Sequence, residues 1–402
     1  MSHYVVIGAG QAGASLVAKL RSAGFDGEIT LIGAEPAPPY QRPPLSKKFL
    51  LGEMEEARLY LRPADWYETQ NIRLLTDTRV VEIDPAAHRV LLSGDEPLAY
   101  DKLALCAGAD PRQLPSAMGG GLQGVLTMRD LNDAGRMAPL MQPGRHVLVV
   151  GGGYIGLEAA AVAAKKGLKV TLIEAAQRIL GRVAAEETAD YFRELHRAHG
   201  VEVIENVGLE RLTGTEAVEG AVLADGRELK VDFVITGIGI APATILASAA
   251  GLAIDNGIAV DAHCRTSAED VFAAGDCASF PWGEGRIRLE SVGNAIDMGE
   301  AAALAMLGSD EPYRPKPWFW SDQYECKLQI AGLNTGYDRV VVRDGGAARS
   351  HWYYRGGQLI AVDAMNDPRG YMIGKRLIEA GKTADPAVVG NASADLKALL
   401  TA

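Results

Sequence analysis

The residues best suited to chemistry are two glycine runs, Gly8-Ala9-Gly10-Gln11-Ala12-Gly13 and Gly151-Gly152-Gly153-Tyr154-Ile155-Gly156. Each follows an apolar stretch of strand length, leads into a helical pattern, and is answered further on by an acid, Glu35 or Glu174. That arrangement suits the binding of a dinucleotide. Gly8 and Gly151 permit a tight turn, Gly10 and Gly153 let the backbone approach a pyrophosphate, and Gly13 and Gly156 let helix and strand pack closely. The pyrophosphate then meets the free N–H groups and positive end of the helix, and the acid accepts a ribose hydroxyl. A carboxylate at Glu174 welcomes a ribose 2′-OH and repels a 2′-phosphate, favouring NADH over NADPH. Arg178 nearby weighs the other way. One such run also describes an ordinary βα turn; two, each with strand, helix and closing acid, point to two nucleotides held by one chain.

The elements that must position these glycines read as two βαβ units. In the first, a strand at residues 4–7 leads to a helix at 14–21, a stop at Gly24 and a second strand at 28–32. In the second, a strand at 145–150 leads to a helix at 157–166, a stop at Gly167 and a strand at 169–173. Apolar strands ending in small residues at 101–108 and 232–239 mark where backbone must lie near a nucleotide, with Pro111, Pro115 and Pro242 beside the crossings between domains.

The 402 residues allow two or three domains. No apolar run reaches the roughly 20 residues that span a bilayer. The sequence enters a strand at once with no cationic leader, so a soluble, cytoplasmic protein without membrane contact is expected. A net charge of −11 argues against nucleic acid as a partner. The four cysteines, Cys106, Cys264, Cys277 and Cys326, form no CxxC pair. This counts against a redox dithiol and against a zinc or iron–sulfur site, so no metal is expected. Cys106 and Cys277 read as small buried residues.

Four further segments narrow the identity: Tyr40-Gln41-Arg42-Pro43-Pro44-Leu45-Ser46-Lys47, residues 266–277 ending in Gly275-Asp276-Cys277, Glu290-Ser291-Val292-Gly293-Asn294-Ala295, and Pro317-Trp318-Phe319-Trp320-Ser321-Asp322-Gln323-Tyr324. Together they resemble the oxygenase-coupled NADH–ferredoxin reductases, the putidaredoxin reductase-like and biphenyl-dioxygenase reductase-like group, over essentially the whole chain. The resemblance implies an α/β fold with two Rossmann-like dinucleotide-binding domains in a glutathione reductase-like layout, plus a small C-terminal α+β domain. An FAD domain would comprise residues 1–111 and 241–312, an NADH domain 112–240, and the C-terminal domain 313–402.

The resemblance also assigns roles. Asp276 would bind the ribityl chain of FAD, although a turn-forming aspartate satisfies the same spacing. Val292 opens a helix whose N-terminus would stabilise negative charge on the reduced flavin. Lys47 would be the flavin-side lysine, stiffened by Pro43 and Pro44, and Glu158 its partner acid near the nicotinamide, the two pairing across domains. Ala12, Arg42, Val80 and Arg129 match positions touching FAD, and Ile155 and Gly239 positions beside NADH. The usual acid for the adenosine ribose aligns with Ala34, which leaves Glu35 to substitute. Trp320 would lie near the flavin; Trp318 points to the same side if the segment is extended, and core packing explains it equally well.

The activity so implied passes electrons from NADH through FAD to a [2Fe-2S] ferredoxin, itself serving a cytochrome P450 or a ring-hydroxylating oxygenase. Binding of that acidic partner would be transient and electrostatic, with Arg286, Arg288, Lys327 and Arg339 as candidate docking cations, and the reductase a monomer or weak dimer. A rubredoxin reductase or an apoptosis-inducing-factor-like flavoprotein shares the architecture. A disulfide reductase would need a reactive cysteine early in the first domain, and none precedes Cys106.

Overall fold

A computed structural model describes residues 2–94 and 97–400. Two compact units emerge. The first comprises residues 1–41, 56–110 and 240–317; the second comprises 42–55, 111–239 and 318–402.

The first unit is built on a five-stranded parallel sheet in the order Val271–Ala273, Lys102–Leu105, His3–Ile7, Glu28–Ile32, Ile72–Leu75. Strands of this kind are apolar along their length because helices cover both faces, and Val5, Val6, Leu31, Leu103 and Ala104 are fully buried. Helix α1 (Gln11–Ser22) follows the first strand. The order of connection reverses beside His3–Ile7, with Glu28–Ile32 to one side and Lys102–Leu105 to the other. A ligand crevice opens at the carboxyl ends of strands at such a switch point.

The second unit repeats the plan. Its parallel sheet runs Glu202–Glu205, Lys169–Glu174, His146–Val150, Phe233–Thr236, Val125–Leu126. Helix α2 (Tyr154–Lys165) follows the central strand, and α3 (Glu186–Ala198) lies further along. The same unit carries a five-stranded antiparallel sheet ordered Trp318–Gln323, Cys326–Gly332, Gln358–Met365, Arg349–Arg355, Arg339–Asp344, backed by the helix Pro368–Glu379. A last helix of interest, α4 (Val292–Met306), belongs to the first unit, capped by Ser291, whose Oγ accepts from the Asn294 N–H.

Both fingerprint helices begin earlier than the sequence suggests. The expected starts were residues 14 and 157; the helices start at Gln11 and Tyr154. The last glycine of each run therefore sits inside the first turn, where it is a packing residue and not a helix breaker. Among the described residues no helix is long and apolar enough to cross a membrane.

Burial of titratable groups gives the second unit a definite pH response. Burial pushes His196 and His351 down to about 4 and pushes the Asp363 carboxyl up to about 6. Above pH 6.5 both imidazoles are neutral whether folded or not. Below it the unfolded chain takes up protons that the folded chain refuses, so stability falls between about pH 6.5 and 4. Asp363 works in the opposite sense, holding its proton in the folded state, and offsets one of the two histidines. Together these three groups contribute a loss of about 1.4 kcal/mol per pH unit between pH 6 and 4. Thermal unfolding should follow it, and His196→Gln should flatten the slope. A midpoint independent of pH over that range would contradict the assignment.

Candidate active site

Each glycine run meets the steric demands of a dinucleotide cradle. Gly8 and Gly151 adopt φ of +110° and +108°, a region closed to most side chains. A Cβ on Gly13 would lie 2.0 Å from the Gly8 carbonyl oxygen, and one on Gly156 would lie 2.0 Å from that of Gly151. Around the middle glycines, Gly10 and Gly153, nothing lies within 4 Å of an added Cβ. Helix and strand are thus locked together while the face toward the helix N-terminus stays open, which fits a pyrophosphate.

In the first unit, Ala12 sits where several candidate FAD residues converge. A Cβ on Gly275 would come within 2.9 Å of the Ala12 Cβ, and one on Gly299 of α4 within 2.6 Å of its carbonyl oxygen. Small residues let α4 close on α1, and this brings the Asp276 turn and the start of α4 at Val292 to the first glycine run. The segment before Val80 joins from another side, as the Asp77 and Thr78 N–H groups donate to the carbonyls of Glu35 and Gly33. Glu35 Oε2 accepts from the Tyr40 hydroxyl at 2.5 Å. Ala34 is exposed at the strand end and offers no polar group.

In the second unit, the Glu174 carboxylate closes the glycine loop on itself. Its Oε2 accepts from the Gly152 N–H and its Oε1 from the Ala176 N–H, each at 2.7 Å. Arg178, the residue that weighed toward NADPH, is turned away: its guanidinium donates to the Ala184 carbonyl at 2.8 Å and to that of Ala185 at 3.4 Å. Ile155, expected beside NADH, is 45% exposed at the start of α2. Gly239 (φ +99°) accepts at its carbonyl from the Arg112 N–H. Glu174→Gln should narrow the preference for NADH over NADPH by about tenfold, the effect of losing one charge against a 2′-phosphate. Unchanged ratios of kcat/KM for the two nucleotides would remove Glu174 from that role.

Lys47 and Glu158 form a close ion pair, Nζ to Oε2 at 2.6 Å, with side-chain exposures of 15% and 3%. By packing alone, the two residues belong to one compact unit. Residues 42–55 pack within the second unit, so both partners lie in it. The reason is local: Leu50 of this segment is buried in the same apolar core as Leu126, Val149 and Leu157. Lys47 leaves the short helical stretch Leu45–Phe49 with φ −134° and ψ −112°. Arg42 and Arg129, expected at FAD, also belong to this unit, where Arg42 Nη1 donates to the Arg129 carbonyl at 2.9 Å.

Two serines hold the same carboxylate, and a glutamine stands behind one of them. Ser46 Oγ donates to Glu158 Oε2 at 2.9 Å, Ser321 Oγ donates to Oε1 at 2.7 Å, and Gln323 Nε2 donates to Ser321 Oγ at 3.1 Å. Ser46, Ser321 and Gln323 stand in the two segments already singled out around Lys47 and Trp320. The alternation of Ser321 and Gln323 along an extended strand was the signal available for those two. Trp318 and Trp320 stack with ring centroids 5.4 Å apart and line a groove with Lys327 and Tyr371. Side chains alternate along Trp318–Gln323, so Trp320 lies on the face opposite Ser321 and Gln323.

Of the four candidate docking cations, two are engaged inside the first unit. Arg286 donates to the Val260 and Ser279 carbonyls, and Arg288 pairs with Glu290 at 2.5 Å while only 10% exposed. Lys327 and Arg339 are exposed. All four cysteines are buried free thiols. Burial raises every one of them: Cys277 and Cys326 to about 11, Cys264 to about 12, and Cys106 well above its ordinary value. None offers the thiolate that disulfide chemistry needs.

The chain is similar to known proteins along its full length. Residues 2–299 match the family described as pyridine nucleotide-disulphide oxidoreductase, and residues 318–400 match the reductase C-terminal family. Rhodocoxin reductase of Rhodococcus erythropolis is 40% identical over 98% of this chain and 93% of its own length. Putidaredoxin reductase of Pseudomonas putida is 39% identical over 99% of this chain and 96% of its own. Among solved structures, that of the covalent putidaredoxin reductase–putidaredoxin complex superposes with a TM-score of 0.96 at 38% identity, covering 100% of this chain and 98% of the other. The two glycine cradles, the inert cysteines and these matches agree: the chain belongs to the pyridine nucleotide-disulphide oxidoreductase family, within its ferredoxin reductase branch, whose cofactors are FAD and NADH.

Proposed function

We propose that this chain reduces a [2Fe-2S] ferredoxin with NADH, and that the ferredoxin in turn serves a cytochrome P450 or a ring-hydroxylating oxygenase. The observation that carries this reading is the pairing of two nucleotide cradles with four buried, protonated thiols. Electrons taken from NADH then have no acceptor within the chain besides the flavin. FAD, when bound, supplies the conversion of a two-electron hydride into single-electron steps.

The residues have distinct parts. The first glycine run, with Ala12, Glu35, Val80, Asp276 and Val292, holds FAD, and the N-terminus of α4 favours negative charge on it. The second run, with Ile155, Glu174 and Gly239, holds NADH. Lys47 and Glu158 are the charged pair that serves hydride transfer, and Trp320 serves the flavin side of the reaction, with Arg129 serving the FAD pyrophosphate and Arg42 a further FAD contact. No side chain must act as nucleophile; the protein positions and sets the field. The division expected from sequence, an FAD domain at 1–111 and 241–312, an NADH domain at 112–240 and a C-terminal domain at 313–402, is the functional one on this reading.

An NADH-driven assay against ferredoxin and rubredoxin side by side tests the proposal. Ferredoxin should be reduced much faster, and its rate should fall as salt rises, because a transient complex with an acidic partner is steered by charge. Faster turnover with rubredoxin would overturn the ferredoxin assignment; a salt-independent rate would overturn the electrostatic docking.

A further inference from the structure

Behind Glu158 runs a row of polar side chains buried almost completely: Ser321 0%, Gln323 1% and His196 0% exposed, with Glu158 itself at 2%. Buried polar groups are costly unless each is paired. Here every one is, and the donors all point one way. The amide oxygen of Gln323 can only accept, so His196 Nε2, 2.8 Å away, must carry a proton and donate. Then His196 Nδ1 is the acceptor, and it faces the Tyr324 hydroxyl at 3.3 Å. The sequence is Tyr324 O–H to His196 Nδ1, His196 Nε2–H to Gln323 Oε1, Gln323 Nε2–H to Ser321 Oγ, and Ser321 O–H to Glu158 Oε1. It ends on the carboxylate that Lys47 and Ser46 hold from the other side.

The far end of this row is built at a backbone cost. Tyr324 turns the tight connection between the strands Trp318–Gln323 and Cys326–Gly332 with φ of +55°, where a tyrosine is disfavoured by about 1–2 kcal/mol. That turn carries its ring onto His199, stacked at 3.7 Å, with its hydroxyl beside His196. A turn chosen for local ease would have placed glycine or asparagine there.

We infer that Ser321, Gln323 and His196 form a directional hydrogen-bond chain that positions the Glu158 carboxylate, and through it Lys47, for hydride transfer. They are positioning residues: none is assigned a contact with NADH or FAD. An amide in the middle cannot pass a proton on without changing its own bonding, so the chain orients and does not conduct. The inference rests on the proposed role of the Lys47–Glu158 pair.

Gln323→Glu tests it with almost no change of shape. A carboxylate at 323 accepts where the amide donated, so the Ser321 hydroxyl faces two acceptors and Glu158 loses its committed donor. In the holoenzyme, flavin reduction at saturating NADH should slow by about tenfold while the Kd for NADH stays within about twofold, the scale of one hydrogen bond to a charged group. Ser321→Ala should do the same, and Ser321→Thr, which keeps the hydroxyl, should restore the rate. Independently of turnover, NMR of isotope-labelled histidine in the oxidised wild-type enzyme should show His196 as the Nε2–H tautomer, and Gln323→Glu should protonate both its nitrogens. An Nδ1–H tautomer in the wild type overturns the chain without any variant having to fold. Wild-type rates in Gln323→Glu and Ser321→Ala, beside a slow Lys47→Ala, overturn the positioning role alone. A fast Lys47→Ala overturns the underlying reading instead.

Discussion

Lys47→Ala will slow the reduction of bound flavin by NADH by about a hundredfold, the scale of removing one preorganised electrostatic partner from a protected site. Among the described residues, Lys47 is the only cation paired with the Glu158 carboxylate, which is 2% exposed. Its loss leaves Glu158 with two serine hydroxyls and no opposing charge, and breaking one side of a buried pair typically costs about 3–5 kcal/mol. The variant should therefore also unfold at a lower temperature. Glu158→Gln separates the two effects: it relieves the uncompensated charge and leaves the lysine without its anchor. Stopped-flow bleaching at saturating NADH is the measurement. A rate equal to that of the wild type would remove the pair from the reaction.

Gly13→Ala and Gly156→Ala make a matched pair with opposite readouts. In both, the new methyl carbon would stand 2.0 Å from a carbonyl oxygen, that of Gly8 or Gly151. The neighbour is backbone in the tight turn itself, so helix and strand must separate and the N–H groups at the helix start lose their aim. Gly13→Ala should purify without flavin absorbance. Gly156→Ala should keep the flavin and bind NADH about a hundredfold more weakly, as expected when several phosphate hydrogen bonds are lost together. Full flavin content in Gly13→Ala, or unaltered NADH binding in Gly156→Ala, would contradict the assignment of one cradle to each nucleotide.

These contrasts show what could be read from the chain before its fold. The glycine runs were legible because turn, phosphate approach and helix packing each demand glycine at a fixed place. Glu174 was legible for the same reason, since the strand end fixes where its carboxylate lies. The start of each helix was not, because a glycine inside the first turn looks like a breaker until its close neighbour is known. The side on which residues 42–55 pack was equally hidden. Nothing in Pro43-Pro44-Leu45 says that Leu50 joins the core around Leu157, which is a tertiary choice. Ser321, Gln323 and His196 were invisible as a group because they come together only when the Trp318–Gln323 strand lies along α2 and α3. Arg286 and Arg288 read as surface charge, yet their guanidinium groups answer backbone carbonyls and Glu290.

The family's name contains a disulfide, whereas this chain's four cysteines are all buried free thiols. Cys106, Cys264, Cys277 and Cys326 are all buried and held protonated. The most direct test is an anaerobic titration of the holoenzyme with NADH, with thiols counted under denaturing conditions before and after. One equivalent of NADH should bleach the flavin completely, four thiols should be present at both points, and oxidised ferredoxin should then restore the flavin colour. Consumption of a second equivalent, with two new thiols appearing, would contradict the proposed function.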